Sequence, residues 1–264
     1  MKREVIHSTH LKREVLLDVV VPESHLSSKE HWRILLVNDG QDAAEFQLAS
    51  SVKDFNKENP QSPVLAVAIH VGERKQEYGV GKEADYAGRG SRAFQYTSFV
   101  KEELFPWLQK QYGLHPTAGK SAIIGFSLGA LSAFDVAWNL SSHIGTAGLF
   151  SGSFWWRARS LDDGYQASDR IAQKMVRESS SAPELNLWFQ TGWLDEAADR
   201  DQDGLIDSIG DTVDLLTELE KKGFTPGQNL EYIEIGNGRH DHKTMAKVLP
   251  RFLEWWNSRL KSSN

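Results

Sequence analysis

The chain has 264 residues, 40% of them hydrophobic and 25% charged, with a formal net charge of −6. That is the balance of an ordinary globular protein whose core needs no staples. With no cysteine, disulfides and thiolate metal sites are excluded, and the scattered basic residues argue against nucleic acid or an anionic membrane as a partner.

Met1-Lys2-Arg3-Glu4 opens on charge, without the apolar stretch of a signal peptide. No apolar run reaches membrane-span length, so a cytoplasmic protein is the expectation. Val15 to Val21 is β-branched, ends at Pro22 and reads as a strand. Trp32 to Val37 is a short apolar run stopped by Asn38-Asp39-Gly40, hence a buried strand and a turn. A helical stretch from Ala43 to Asn56 precedes a strand from Pro63 to Val71 and a long polar loop through Tyr86 to Arg92. Tyr96 to Tyr112 places Phe99, Leu104, Trp107 and Leu108 at helical spacing.

Further along, strands are expected at Ser121 to Ile124, Ile144 to Phe150, Leu185 to Phe189 and Leu230 to Ile235. Helices are expected at Leu128 to Trp138, at Thr212 to Lys222 with Gly223 as its C-cap, and at Lys243 to Leu260, where Pro250 threatens a kink or a split. From Trp32 onward strands alternate with helices. That pattern predicts a mostly parallel sheet with helices on both faces, in one domain spanning 1–264.

Chemistry concentrates in Ile124-Gly125-Phe126-Ser127-Leu128-Gly129. A strand, then G-x-S-x-G, then a helix is the context of a nucleophile elbow: the serine sits on a strained turn, and flanking glycines avoid collision between strand and helix. The helix N-terminus favours negative charge developing beside it. A serine hydroxyl needs a base, and the base an orienting carboxylate, in the chain order Ser, Asp or Glu, His. His240, in the glycine-rich loop Gly236-Asn237-Gly238-Arg239-His240 before the last helix, is the expected base, with His242 as runner-up. Asp195, the first carboxylate after the strand Leu185 to Phe189, is the expected acid, with Asp199 as the alternative. The oxyanion would be held by the backbone amides of Leu128 and Gln41.

These residues resemble the putative-esterase family that includes esterase D, the enterochelin esterases, feruloyl esterases and the mycolyltransferases. The resemblance runs from Trp32 to Trp256. It rests on Leu36-Val37-Asn38-Asp39-Gly40-Gln41, on Arg74 with Glu77-Tyr78, on Gly88-Arg89-Gly90 and on Phe99-Val100-Lys101-Glu102-Glu103-Leu104-Phe105-Pro106. It continues through the elbow, Ser151-Gly152-Ser153-Phe154-Trp155-Trp156 and Gly238-Arg239-His240-Asp241, where Arg239 replaces a glycine of the family pattern. The resemblance implies an α/β-hydrolase fold and hydrolysis of a small-molecule carboxylic ester. Within the family the enterochelin-esterase-like branch is the nearest likeness. That branch implies a siderophore ester, whereas the mycolyltransferase branch implies acyl transfer, with Trp155 and Trp156 lining an acceptor pocket.

Asp199-Arg200-Asp201-Gln202-Asp203-Gly204-Leu205-Ile206-Asp207 reads D-x-D-x-D-G-x-x-D. It is similar to the first nine positions of an EF-hand calcium loop, in which alternating carboxylates and one backbone carbonyl converge on a hard cation and the glycine makes the turn. Asp199, Asp201, Asp203, Asp207 and the Leu205 carbonyl are the candidate ligands. Position twelve is Gly210 in place of glutamate, with Asp211 next to it. Calcium here would be structural; catalysis itself needs no cofactor. A non-catalytic, tryptophan-rich sugar- or calcium-binding module is the rival of a different class, against which the ordered Ser, Asp and His stand.

Overall fold

The computed structural model describes residues 1–23 and 28–261. Eight strands form one sheet: β1 (Lys2–Ser8), β2 (Arg13–Val20), β3 (Arg33–Val37), β4 (Val64–Ile69), β5 (Ser121–Phe126), β6 (Thr146–Phe150), β7 (Asn186–Leu194) and β8 (Leu230–Arg239). Their order is β1-β2-β4-β3-β5-β6-β7-β8. The β1–β2 hairpin and the β2–β4 pair are antiparallel. Every pairing from β4 to β8 is parallel. This is the mostly parallel sheet that the alternation of elements predicts and the α/β-hydrolase type of architecture that the resemblance implies.

The helices are α1 (Leu48–Glu58), α2 (Arg74–Glu77), α3 (Ala93–Phe99), α4 (Phe105–Tyr112), α5 (Leu128–Asn139), α6 (Ile171–Glu178), α7 (Asp207–Lys221) and α8 (His242–Lys261). A π-helical turn, Val100–Leu104, joins α3 to α4. All residues of β3 and β4 are buried, because a parallel sheet covered on both faces has no solvent side. Alternate residues of each strand feed two cores. Ile34 and Leu36 pack with Tyr96, Phe99, Phe134, Val176 and Leu215 of α3, α5, α6 and α7. Leu35 and Val37 pack with Val52, Phe55, Leu249 and Phe252 of α1 and α8.

Four local features add to the expectations or correct them. Lys2–Ser8 is a strand: its charged residues face solvent while Ile6 and Ser8 are buried. Ile171–Glu178 is an amphipathic helix that the sequence reading passed over, burying Ile171, Ala172 and Val176. The glycine-rich stretch after Ile235 is not a loop. β8 runs on to Arg239 and pairs it with Leu194 past an irregularity between Gly192 and Leu194. Pro250 lies inside a continuous α8 and does not split it. Among the described residues no helix is long and apolar enough to cross a membrane.

This topology positions the site. β3, β5, β6, β7 and β8 run parallel, so the segments that follow them emerge at one edge of the sheet, where open α/β sheets present their chemistry. Those segments carry Asp39 to Gln41, Ser127, Ser151 to Trp156, Asp195 and His240.

Candidate active site

Ser127 lies between β5 and α5, as the cap of that helix, with φ 57° and ψ −122°, a conformation that costs an L-residue energy unless its surroundings enforce it. Here they do. The Ser127 N–H donates to the Phe150 carbonyl at 2.9 Å, and the Ser127 carbonyl accepts the Ala130 N–H at 3.0 Å and the Ser153 N–H at 3.1 Å. The flanking glycines are a packing requirement: a Cβ at Gly125 would lie 2.1 Å from the Gly129 carbonyl oxygen, and one at Gly129 would lie 2.5 Å from Asp39 Oδ2.

His240, immediately after β8, places Nε2 2.9 Å from Ser127 Oγ. Its ring packs on Phe126, with centroids 4.6 Å apart. The residue keeps an exposed side, yet this packing strips water from the ring. Desolvation is the largest influence on the imidazole and lowers its pKa below the ordinary value; Asp195 acts in the opposite direction and Arg74 reinforces the lowering. His242, the runner-up, turns away to hydrogen-bond Glu45 at 2.8 Å.

Asp195 is brought near His240 but not into a bond with it. Its Oδ2 accepts the Gly192 N–H at 3.0 Å, while its Oδ1 is buried with no hydrogen-bond partner. Asp199, the alternative acid, is held in the acidic loop, where its oxygens accept the Asp203 and Gly204 N–H groups.

The turn after β3 is bolted to the elbow by buried polar groups. Asp39 adopts the left-handed conformation, φ 56° and ψ 50°. Arg74 grips its carboxylate with Nε and Nη2 at 2.8 and 2.9 Å, and Nη2 also reaches the Phe126 carbonyl at 3.2 Å. The Asp39 N–H donates to the Tyr78 hydroxyl at 2.9 Å. Asn38 donates to the Gly129 carbonyl at 2.8 Å and accepts from the Tyr96 hydroxyl at 2.6 Å. Among the described residues the Gln41 and Leu128 amides have no backbone partner.

Of the two tryptophans expected to line a pocket, Trp156 is 1% exposed and belongs to the core, because glycines at positions 79 and 90 let the chain close over its ring. Trp155 is half-buried against that core. The guanidinium of Arg89 lies 5.3 Å from the Trp155 ring and 5.5 Å from Tyr86, and that of Arg157 lies 5.0 Å from Tyr86 and 5.8 Å from Trp155.

The acidic loop assembles in part. Asp199, Asp201 and Asp203 bring carboxylate oxygens within 4.8 Å of one another, and Gly204 makes the turn at φ +89°. Asp207 does not join them: its carboxylate accepts the Arg200 N–H at 2.8 Å and pairs with the Arg200 guanidinium. Asp211 is likewise occupied, by Arg170 and by Arg200. The nearby arginines outcompete the loop for both carboxylates.

The sequence matches the family described as "Putative esterase" over residues 8–255. The chain belongs to this esterase family. The enterobactin esterase FES from Shigella flexneri, solved in the presence of enterobactin, superposes with a TM-score of 0.74 at 17% identity, covering 98% of this chain and 59% of that one. The chain therefore spans about three-fifths of the length of FES. The BES protein from Bacillus cereus gives 0.69 at 16% identity over 97% and 94% of the two chains. An IroE-like serine hydrolase from Shewanella oneidensis gives 0.68 at 16% over 96% and 80%. No curated relative matches the sequence.

Sequence reasoning did not single out Asn38, Tyr78, Tyr96 or Ser153 as parts of this site. Asn38, Arg74, Tyr78 and Ser153 entered only within the family pattern. The tyrosines and Asn38 carry no spacing signal, since their partners are brought together by the sheet. The environment of His240 has a measurable consequence. Only neutral imidazole accepts a proton, so hydrolysis should rise with pH through an inflection below the ordinary histidine value of about 6.5. A pH profile of kcat/KM that inflects clearly above that value would contradict the desolvated ring.

Proposed function

We propose that this esterase is one domain spanning residues 1–264 that hydrolyses a small-molecule ester through an acyl-enzyme on Ser127. Ser127 Oγ attacks the ester carbonyl while its proton passes to His240 Nε2. The imidazolium then returns that proton to the leaving alcohol, and water repeats the sequence in reverse. Asp195 is the acid: its unpartnered Oδ1 is the acceptor that stabilises the imidazolium as charge forms, a contact that tightens only during reaction. The Leu128 and Gln41 amides receive the oxyanion, each worth about 3 kcal/mol. The observation that carries this reading is the 2.9 Å contact between His240 Nε2 and Ser127 Oγ, on a serine whose backbone is held in a strained elbow.

Ser127→Ala and His240→Ala should each lower kcat by a factor on the order of 10⁴ or more with unchanged melting temperatures. His242→Ala should stay near wild type, and Asp195→Asn should cost far more than Asp199→Asn. Assays on a nitrophenyl ester decide it: activity surviving in Ser127→Ala, or a larger loss in His242→Ala than in His240→Ala, removes the assignment.

A second reading, a siderophore esterase of the enterochelin type, is favoured by the Arg89, Arg157, Tyr86 and Trp155 cluster. Guanidinium groups stacked on aromatic rings suit an electron-rich aromatic acyl group. A dihydroxybenzoyl-serine ester turned over with a much higher kcat/KM than phenyl acetate supports it; equal values favour a general carboxylesterase.

A structural calcium ion on Asp199, Asp201 and Asp203 belongs to the proposal as well. Three converging carboxylates repel one another, and a hard cation relieves that repulsion. Millimolar calcium should raise the melting temperature by mass action on the folded state, and Asp201→Asn with Asp203→Asn should abolish the response. An unchanged melt with calcium and with chelator means that the loop is closed by its own backbone hydrogen bonds.

A further inference from the structure

Beside the nucleophile stands a second hydroxyl that the mechanism above does not use. Ser153 is 4% exposed. Its Oγ lies 3.3 Å from Ser127 Oγ, and among the described residues that oxygen is its hydrogen-bond partner. Its backbone is fixed from several sides: the Ser153 N–H donates to the Ser127 carbonyl at 3.1 Å, the Ser153 carbonyl accepts the Trp156 N–H at 3.2 Å, and the Ser151 N–H donates to Gln190 at 2.7 Å. Ser151 holds a left-handed φ of 43° to start this turn, and a Cβ at Gly152 would meet the Phe154 ring at 2.3 Å. The loop after β6 is therefore shaped to bring one small hydroxyl against the nucleophile.

We propose that Ser153 is a catalytic residue that donates a hydrogen bond to Ser127 Oγ in both halves of the reaction. This rests on the reading of Ser127 as nucleophile and His240 as base. The direction of the bond follows from proton counting. Ser127 has one hydroxyl proton, and at 2.9 Å it points to His240 Nε2, which accepts it only with the ring proton on Nδ1. In the Ser127–Ser153 contact the donor is then Ser153.

The consequences can be followed electron pair by electron pair. During acylation one lone pair of Ser127 Oγ forms the new bond to the carbonyl carbon, the carbonyl π pair moves to its oxygen, and the Ser127 proton moves to His240. As that proton leaves, negative charge grows on Oγ, and the Ser153 O–H is already aimed at it. In the acyl-enzyme Oγ is an ester oxygen and a poor acceptor, so the bond weakens. During deacylation the Oγ–carbon bond breaks and its electron pair returns to Oγ before His240 restores the proton. The same O–H meets the charge again. A donor that is strong only when charge develops lowers the barrier without tightening substrate binding. Being preorganised and shielded from water, it needs no reorientation.

Ser153→Ala should lower the burst rate and the steady-state rate on a nitrophenyl ester alike, by about tenfold each, as for the loss of one hydrogen bond to a charged group. KM for the acylation step, the melting temperature and the pH inflection should stay unchanged, since no charge or packing volume of consequence is lost. Ser153→Thr, which keeps the hydroxyl, should recover most of the rate. If Ser153→Ala keeps the wild-type burst and steady rates, or loses stability in parallel with rate and is not rescued by Ser153→Thr, the assignment is overturned. Ser127→Ala run beside it separates the two claims: an inactive Ser127→Ala with a fully active Ser153→Ala rejects Ser153 alone, whereas an active Ser127→Ala rejects the nucleophile and everything resting on it.

Discussion

The backbone of Ser127 is the constraint on which the rest of the site depends. At φ 57° and ψ −122° a serine is held where an unconstrained chain would not leave it. The strain is offset by the bonds from its N–H and carbonyl to Phe150, Ala130 and Ser153. That turn lifts the hydroxyl out of the sheet edge, beside the first amides of α5. It is possible only because β5 and α5 touch at Gly125 and Gly129 without side chains. The elbow is thus a joint between two rigid elements, and its precision is inherited from the sheet beneath it.

The second half of the site is bolted to that joint from one side. Asn38 and Asp39 hold the turn after β3 against the start of α5, with Tyr96 and Tyr78 at their backs and Arg74 spanning Asp39 and the Phe126 carbonyl. Both tyrosine hydroxyls are fully desolvated, which pushes their pKa values up. They stay neutral donors or acceptors across the working pH range. A buried network satisfied in this way rigidifies the turn that carries Gln41. Arg74 has a second effect: its cation opposes formation of the imidazolium on His240, against the favourable pull of Asp195. The His240 imidazole lies between opposed charges, in a ring already deprived of water.

Much of this was legible in the sequence where chemistry and local pattern coincide. The elbow is contiguous, its strand and helix flank it, and the order of Ser127, Asp195 and His240 along the chain follows the topology of parallel strands. What was not legible lies in residues whose meaning depends on a distant partner. β1 drew no strand reading because one alternate face of an edge strand is polar. The glycines after Ile235 looked like a loop, yet Gly238 is there to let β8 approach the Gly192 backbone. Trp156 looked like a pocket wall and is core. Asp207 fits the spacing of a calcium loop, but Arg200 claims it, an outcome fixed by the fold and not by the nine-residue pattern.

The most direct test of the central claim is to label the folded protein with a fluorophosphonate ester and map the modified peptide by mass spectrometry. A nucleophile activated by His240 reacts by displacement of fluoride, leaving one phosphonyl group on the protein. The account predicts a single adduct, on Ser127, formed far more slowly in His240→Ala and lost in Ser127→Ala. An adduct on another residue, or a protein that stays unlabelled while hydrolysing ester, would contradict it.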